Sequence, residues 1–129
     1  MNLPDHGVDS LLDARPAWTA IRITGEIDYA TSDYVTTTLD SALGPDTGRC
    51  LFVDLIGVTF FGSIGISLLI HAKQHAAETG RTIAVIVGTN RAVLRSLEVS
   101  GMRQLLPMFE SCADAATATS QLLDRVRRS

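Results

Sequence analysis

The run Cys50-Leu51-Phe52-Val53-Asp54-Leu55-Ile56 decides the reading of this chain. It is almost unbroken apolar sequence of strand length. A strand of that composition is covered on both faces, as in the middle of a parallel sheet. Gly57 marks its end, and a short loop carries Val58, Thr59, Phe60 and Phe61. The period then changes. Over 63–79, Ile64, Leu68, His71, Ala72 and His75 fall near one helical stripe, while Lys73, Gln74 and Glu78 lie elsewhere. Gly80 stands where a helix end favours a left-handed residue. A buried strand feeding a helix is the repeating unit of an α/β fold.

Working outward, residues 18–24 alternate at period two from Ala20 onward and end at Gly25, which predicts a strand with one buried face. Upstream, 8–13 reads as a short edge strand interrupted by Pro16. Over 30–43, Tyr34, Val35, Leu39, Ala42 and Leu43 fall at helical spacing. Thr31 or Ser32 is the candidate cap of that helix, Asp33 suits its positive end, and Gly44-Pro45 is a stop signal. Downstream, 81–87 is a second buried strand. A helix over 91–100 turns Val93, Leu94 and Leu97 inward and ends at Gly101. A last short strand covers 105–109. A terminal helix over 113–128 offers Ala116, Leu122, Leu123 and Val126 to the core.

The order β, β, α, β, α, β, α, β, α predicts one α/β domain with right-handed crossovers. Its sheet is mixed and mostly parallel, with about four to five strands and about four helices, the first two strands pairing antiparallel. Residues 1–7 read as a loose leader and 8–129 as the domain.

Composition agrees. A chain of 129 residues and 13.8 kDa holds one core of ordinary size. Hydrophobic residues at 46% and charged residues at 19% exclude disorder over most of the length. A net charge of −3 argues against direct nucleic-acid binding, since little here would release phosphate counterions. Cys50 and Cys112 make no disulfide framework and read as small core residues. The longest uncharged run, 55–70, is broken by three glycines and falls short of the roughly 20 residues of a membrane span. With no basic run followed by an apolar stretch at the start, the expected location is the cytoplasm.

Two segments carry the candidate chemistry. In Gly62-Ser63-Ile64-Gly65, Ser63 precedes an apolar helical run after a glycine that lets the backbone turn. Its hydroxyl suits an N-cap. Local sequence alone favours the plain cap; the functional reading is a phosphoacceptor, because a phosphate there faces amide donors and the positive helix end. Ser67 and Thr59 lie close by and rank below it. In Thr24-Gly25-Glu26-Ile27-Asp28, two carboxylates stand two residues apart where a strand hands over to a helix. A solvated acidic turn explains them, and nothing local supplies a nucleophile or leaving-group site for catalysis. Residues 61–65 lack the first glycine of a nucleophile elbow, and no phosphate-binding Gly-Lys-Ser/Thr is present. No enzyme is expected. His71 and His75 are four apart on one helix, a metal-compatible spacing, but no third ligand is apparent in sequence, so neither metal nor cofactor is expected.

Taken in order, Gly25-Glu26-Ile27-Asp28, Leu51-Phe52-Val53-Asp54-Leu55, Gly57-Val58-Thr59-Phe60, Ser63-x-Gly65-Ile66 and Val93-Leu94-x-x-Leu97-Glu98-x-x-Gly101-Met102 resemble the STAS domain family, in particular the bacterial anti-sigma factor antagonists. The resemblance runs from about residue 8 to residue 125. It implies a protein that binds an anti-sigma factor of the serine-kinase type and so frees a sigma factor. Ser63 matches the serine that the kinase phosphorylates to break the complex, and a PP2C-type phosphatase restores it. Glu26 and Asp28 match the acidic loop beside that serine. Partner contact falls to Glu26, Asp28, Gly62, Ser63, Ile64 and Gly65. The chain departs from the family pattern at this point, with Gly62 where Asp is usual and Ile64 where a hydroxyl residue is usual. Those two departures favour an alternative, a constitutive STAS interaction module that is never phosphorylated. A small-ligand sensor is a second alternative, and a homodimer stays open.

Overall fold

In this computed structural model the backbone is described over residues 8–14, 18–44 and 48–128, and the side chains over 18–44 and 48–121. The expected leader 1–7, Pro16, Pro45, and the side chains of Leu122, Leu123 and Val126 lie outside the described residues.

The chain forms β1 (Val8–Ala14), β2 (Trp18–Ile27), α1 (Ser32–Ala42), β3 (Cys50–Asp54), β4 (Val58–Phe61), α2 (Ser63–Glu78), β5 (Thr82–Ile86), α3 (Arg91–Val99), a 3₁₀ turn (Met102–Gln104), β6 (Met108–Phe109) and α4 (Cys112–Arg128). The strands make one six-stranded sheet in the order β1-β2-β3-β5-β6, with β4 also paired to β2. β1 runs antiparallel to β2, and the remaining pairs are parallel. This is the expected α/β domain.

The apolar run at β3 is explained by its place. Leu51 and Val53 face a large core with Ile21, Ile23, Ile83 and Val85, which α1, α2 and α3 cover through Val35, Leu39, Leu68, Leu69, Ala72, Val93 and Leu97. Phe52 faces the opposite side with Ala84, Ile86 and Ala115, covered by α4. Trp18 stacks on Phe52 there, ring centroids 5.1 Å apart. Cys50 and Cys112 belong to this second face and are half-buried rather than fully buried.

Three expectations are revised. Val58–Phe61 is a strand, not a loop. β2 is long enough to pair β3 through Trp18–Arg22 and then β4 through Gly25–Ile27. The last strand shrinks to Met108–Phe109, because the 3₁₀ turn takes up the chain before it and Leu105 faces solvent. On α2 the buried stripe is Gly65, Leu68, Leu69, Ala72 and Ala76, with His71 exposed and His75 half-buried beside it.

The turn between β3 and β4 is held by Asn90, the N-cap of α3. Its amide donates to the carbonyls of Leu55, Ile56 and Val58 at 3.1, 3.0 and 2.7 Å, while its Oδ1 accepts from the Val93 amide. Ser96 of α3 adds a bond to the Phe61 carbonyl at 3.2 Å. The helix therefore fixes the strand that leads into α2. Asn90→Asp keeps the cap but aims a carboxylate at three carbonyls. It is expected to lower stability by about 1–3 kcal/mol in urea unfolding. Asn90→Ser, which keeps a capping oxygen but loses the amide group that reaches the three carbonyls and adds no charge, should cost less.

Candidate functional site

Gly25 adopts φ 99°, a left-handed conformation open to glycine at little cost. The β2–β4 register shifts there, so that Gly25 faces Val58 but Glu26 faces Phe60. The bulge delivers Glu26 and Asp28 to the end of the sheet from which α2 starts. The Gly62 amide then donates to the Ile27 carbonyl at 3.0 Å, which joins the acidic turn to the start of α2.

Thr31 organises the acidic turn. It is 1% exposed. Its hydroxyl donates to the Glu26 carbonyl at 2.9 Å and accepts from the Asp28 amide at 3.0 Å. Asp28 Oδ1 in turn accepts from the Thr31 amide at 3.1 Å. Thr31 is the positional cap of α1, as expected, but its hydroxyl points back into the turn and makes no cap bond. Asp28 is thus partly committed to holding its own loop. Glu26 is exposed, and Tyr29, the next residue but two, is 85% exposed.

At α2 the expectation that Ser63 caps the helix is corrected. Gly62 occupies the cap position with extended geometry (φ −82°, ψ −179°), and Ser63 is the first helical residue. The Ser63 side chain is exposed, and its hydroxyl makes no hydrogen bond among the described residues. The Gly65 amide bonds the Gly62 carbonyl at 2.9 Å, so helix geometry leaves the Ser63 and Ile64 amides as orphan donors at the positive end. Ile64 is half-buried against the core. Gly65 is buried, and a Cβ there would stand 2.6 Å from the buried Phe61 ring. Its contribution to any surface is therefore through close packing beneath it. Thr59 and Ser67 are also exposed.

The structure thus brings Glu26, Asp28, Gly62 and Ser63 to one end of the sheet. Sequence reasoning missed Thr31 as the lock of the acidic turn. It also missed Phe60, which is 50% exposed and whose ring lies 3.1 Å from where a Cβ on Gly62 would be. A groove of about 420 Å³ lies elsewhere, at the edge of β5, lined by Phe52, Lys73, Arg81, Ile83, Leu105 and Phe109 among others. Among the described residues no helix is long and apolar enough to cross a membrane.

The family model for the STAS domain matches residues 11–115. An anti-sigma F factor antagonist of Paenibacillus polymyxa is 27% identical over 97 residues, which is 75% of this chain and 82% of that protein. The crystal structure of an anti-sigma factor antagonist from Mycobacterium paratuberculosis superposes with a TM-score of 0.80 at 21% identity, covering 91% of this chain and 97% of that one. The Bacillus cell fate determinant SpoIIAA in the phosphorylated form superposes with a TM-score of 0.59 at 16% identity, covering 92% and 99%.

Two substitutions separate the packing beneath the site from its surface. Thr31→Val leaves the Asp28 amide and the Glu26 carbonyl without their partner. It should cost about 1–3 kcal/mol and speed hydrogen exchange at the Asp28 amide, read by NMR. Gly65→Ala overpacks the Phe61 ring and is expected to cost about 1–3 kcal/mol in thermal or chemical unfolding.

Proposed function

The chain belongs to the STAS domain family, and we propose that it is an anti-sigma factor antagonist switched by phosphorylation of Ser63. It binds an anti-sigma factor of the serine-kinase type through the surface around Glu26, Asp28, Gly62, Ser63 and Ile64, and so releases a sigma factor in the cytoplasm. The bound kinase phosphorylates Ser63 and the complex breaks. A PP2C-type phosphatase resets the switch. The protein performs no catalysis itself.

The observation that carries this reading is the position of Ser63. Its hydroxyl is exposed and uncommitted at the first turn of α2, and the Gly62–Ile27 bond puts the acidic turn next to it. A phosphate there adds close to two negative charges in the middle of a docking surface while leaving the core untouched. The orphan amides of the helix start receive it without unfolding the domain. In a docked complex the same charge would be desolvated against the partner, which is strongly unfavourable.

A second reading is favoured by the exposed Phe60 ring over Gly62 and by Ile64, which make this surface more apolar than the family's acidic and hydroxyl pattern. Under it the domain binds its partner constitutively. The two readings part on one experiment. The protein is recovered from its native cells under several growth conditions and mapped by phosphopeptide mass spectrometry, beside Ser63→Ala. The switch predicts one phosphate on Ser63, absent in the variant. It also predicts that Ser63→Glu weakens binding to the anti-sigma factor by on the order of 10-fold or more, about 1.4 kcal/mol. No phosphate under any condition, with partner binding intact, establishes the constitutive module instead.

A further inference from the structure

His71 and His75 stand one turn apart on α2, and the fold sets Asp40 of α1 against both. Asp40 Oδ1 lies 3.1 Å from His75 Nδ1 and 3.6 Å from His71 Nε2. One ligand atom from each of the three residues lies within 4.8 Å of the other two. We propose that Asp40, His71 and His75 form a binding site for a single divalent transition-metal ion of the zinc class, which bridges α1 and α2.

Geometry carries the proposal first. Zinc–nitrogen and zinc–oxygen bonds of about 2.0–2.2 Å place neighbouring ligand atoms of a tetrahedral ion about 3.4 Å apart. The two measured separations, 3.1 and 3.6 Å, bracket that edge. Hydrogen bonding alone accounts for one of them. His75 Nδ1 is at hydrogen-bond distance from the carboxylate, whereas His71 Nε2 converges on the same oxygen from beyond it. The third edge, between the two imidazole nitrogens, is no longer than 4.8 Å, so small side-chain rotations bring all three ligand atoms onto one ion.

The donor set selects the ion. Two imidazoles and one carboxylate suit zinc and its late first-row neighbours. Magnesium and calcium prefer shells of oxygen, which this cluster lacks. The three side chains are 37%, 56% and 32% exposed for Asp40, His71 and His75, so an ion enters directly from solvent. Three protein ligands leave a fourth position for water. The sequence concealed the site because the third ligand is 31 positions before the first histidine, on another helix.

The site is separate from the Ser63 surface. His71 lies eight residues beyond Ser63 on α2, roughly 12 Å at the rise of an α-helix. An ion there ties together the two helices whose leading ends carry the acidic turn and Ser63. It does not depend on whether Ser63 is phosphorylated.

The test uses the full chain, stripped of metal with a chelator and titrated with Co²⁺ and Zn²⁺. One equivalent of Co²⁺ should bind with the visible absorption of a four-coordinate ion, and Zn²⁺ should displace it and raise Tm. Asp40→Asn, His71→Ala and His75→Ala should each weaken Zn²⁺ binding by at least about 10-fold, the lower end of what loss of an outer-shell partner costs. Lys73→Ala, on the same helix, should leave it unchanged. Circular dichroism of the metal-free variants checks that each folds. If His75→Ala does not, His75→Gln keeps a polar partner for Asp40 and carries the test. Binding that survives the His71→Ala/His75→Ala double variant, or no saturation below about 100 μM, where the binding free energy is about −5.5 kcal/mol, overturns the proposal.

Discussion

The hydrogen bond from the Gly62 amide to the Ile27 carbonyl, 3.0 Å long, is the constraint on which the candidate surface depends. It satisfies a backbone donor just before the first helical residue of α2, where no intrahelical acceptor exists. It does so with a carbonyl from the last residue of β2. One bond therefore terminates a strand, starts a helix and brings an acidic turn beside an exposed serine. The bond exists because β2 is long. A shorter β2, ending at Gly25, would pair β3 and leave β4 with no strand to lie against. The register shift between Gly25 and Glu26, with Thr59 as the extra residue of β4, lets the pairing continue to Ile27.

Around that bond the polar groups are satisfied inward and left free outward. Thr31, Asn90 and Ser96 spend their side chains on backbone carbonyls and amides of the turns and strand ends. Buried loop backbone needs such partners, since an unpaired carbonyl or amide costs a large fraction of a domain's net stability. Ser63 differs from them in having no such duty. A hydroxyl already committed to a cap would lose that bond on modification. With glycine at the cap position, Ser63 can gain or lose a charged group without a structural debt at the helix start.

The legibility of the chain in sequence follows the same division. β3 was readable because two covered faces demand an apolar run, and α1 and α3 because one buried stripe demands a 3.6-residue period. β4 was not readable. Its pattern, with Val58 and Phe61 buried and Thr59 and Phe60 exposed, matches neither period, because β4 itself carries an extra residue, Thr59, at the register shift. The placement of Ser63 at the start of α2 was visible from Gly62 and the apolar run after it, but its exact turn position was not, since glycine and serine are both acceptable caps. Thr31, one of two candidate caps, holds the cap position, but its hydroxyl locks the turn before it; all of its partners lie within five residues, and a threonine at a helix start is compatible with either use. The cluster of Asp40 with His71 and His75 was invisible for a simpler reason. Helical spacing reveals neighbours on one helix and says nothing of which residue an adjacent helix presents.

The glycine at 62 also changes the electrostatics of a modified Ser63. An aspartate at the cap would stabilise the helix end and at the same time oppose a phosphate one residue away. Here the cap position is neutral, and the nearest carboxylates come from the acidic turn, where Asp28 is held toward the Thr31 amide. A phosphate on Ser63 would meet the orphan amides with less repulsion from its own chain. Under the proposed switch the free modified protein would thereby be favoured, while a partner would find no acidic neighbour to recognise. Phe60 occupies part of the space that a cap side chain would fill, so the surface trades charge for apolar contact at this point. Apolar contact is insensitive to ionic strength, whereas charge pairing is screened within about 8 Å at physiological salt. If the proposed surface docks a partner, the departure at Gly62 would move the weight of docking from steering toward burial, and a phosphate on Ser63 would be the dominant charge that reverses it.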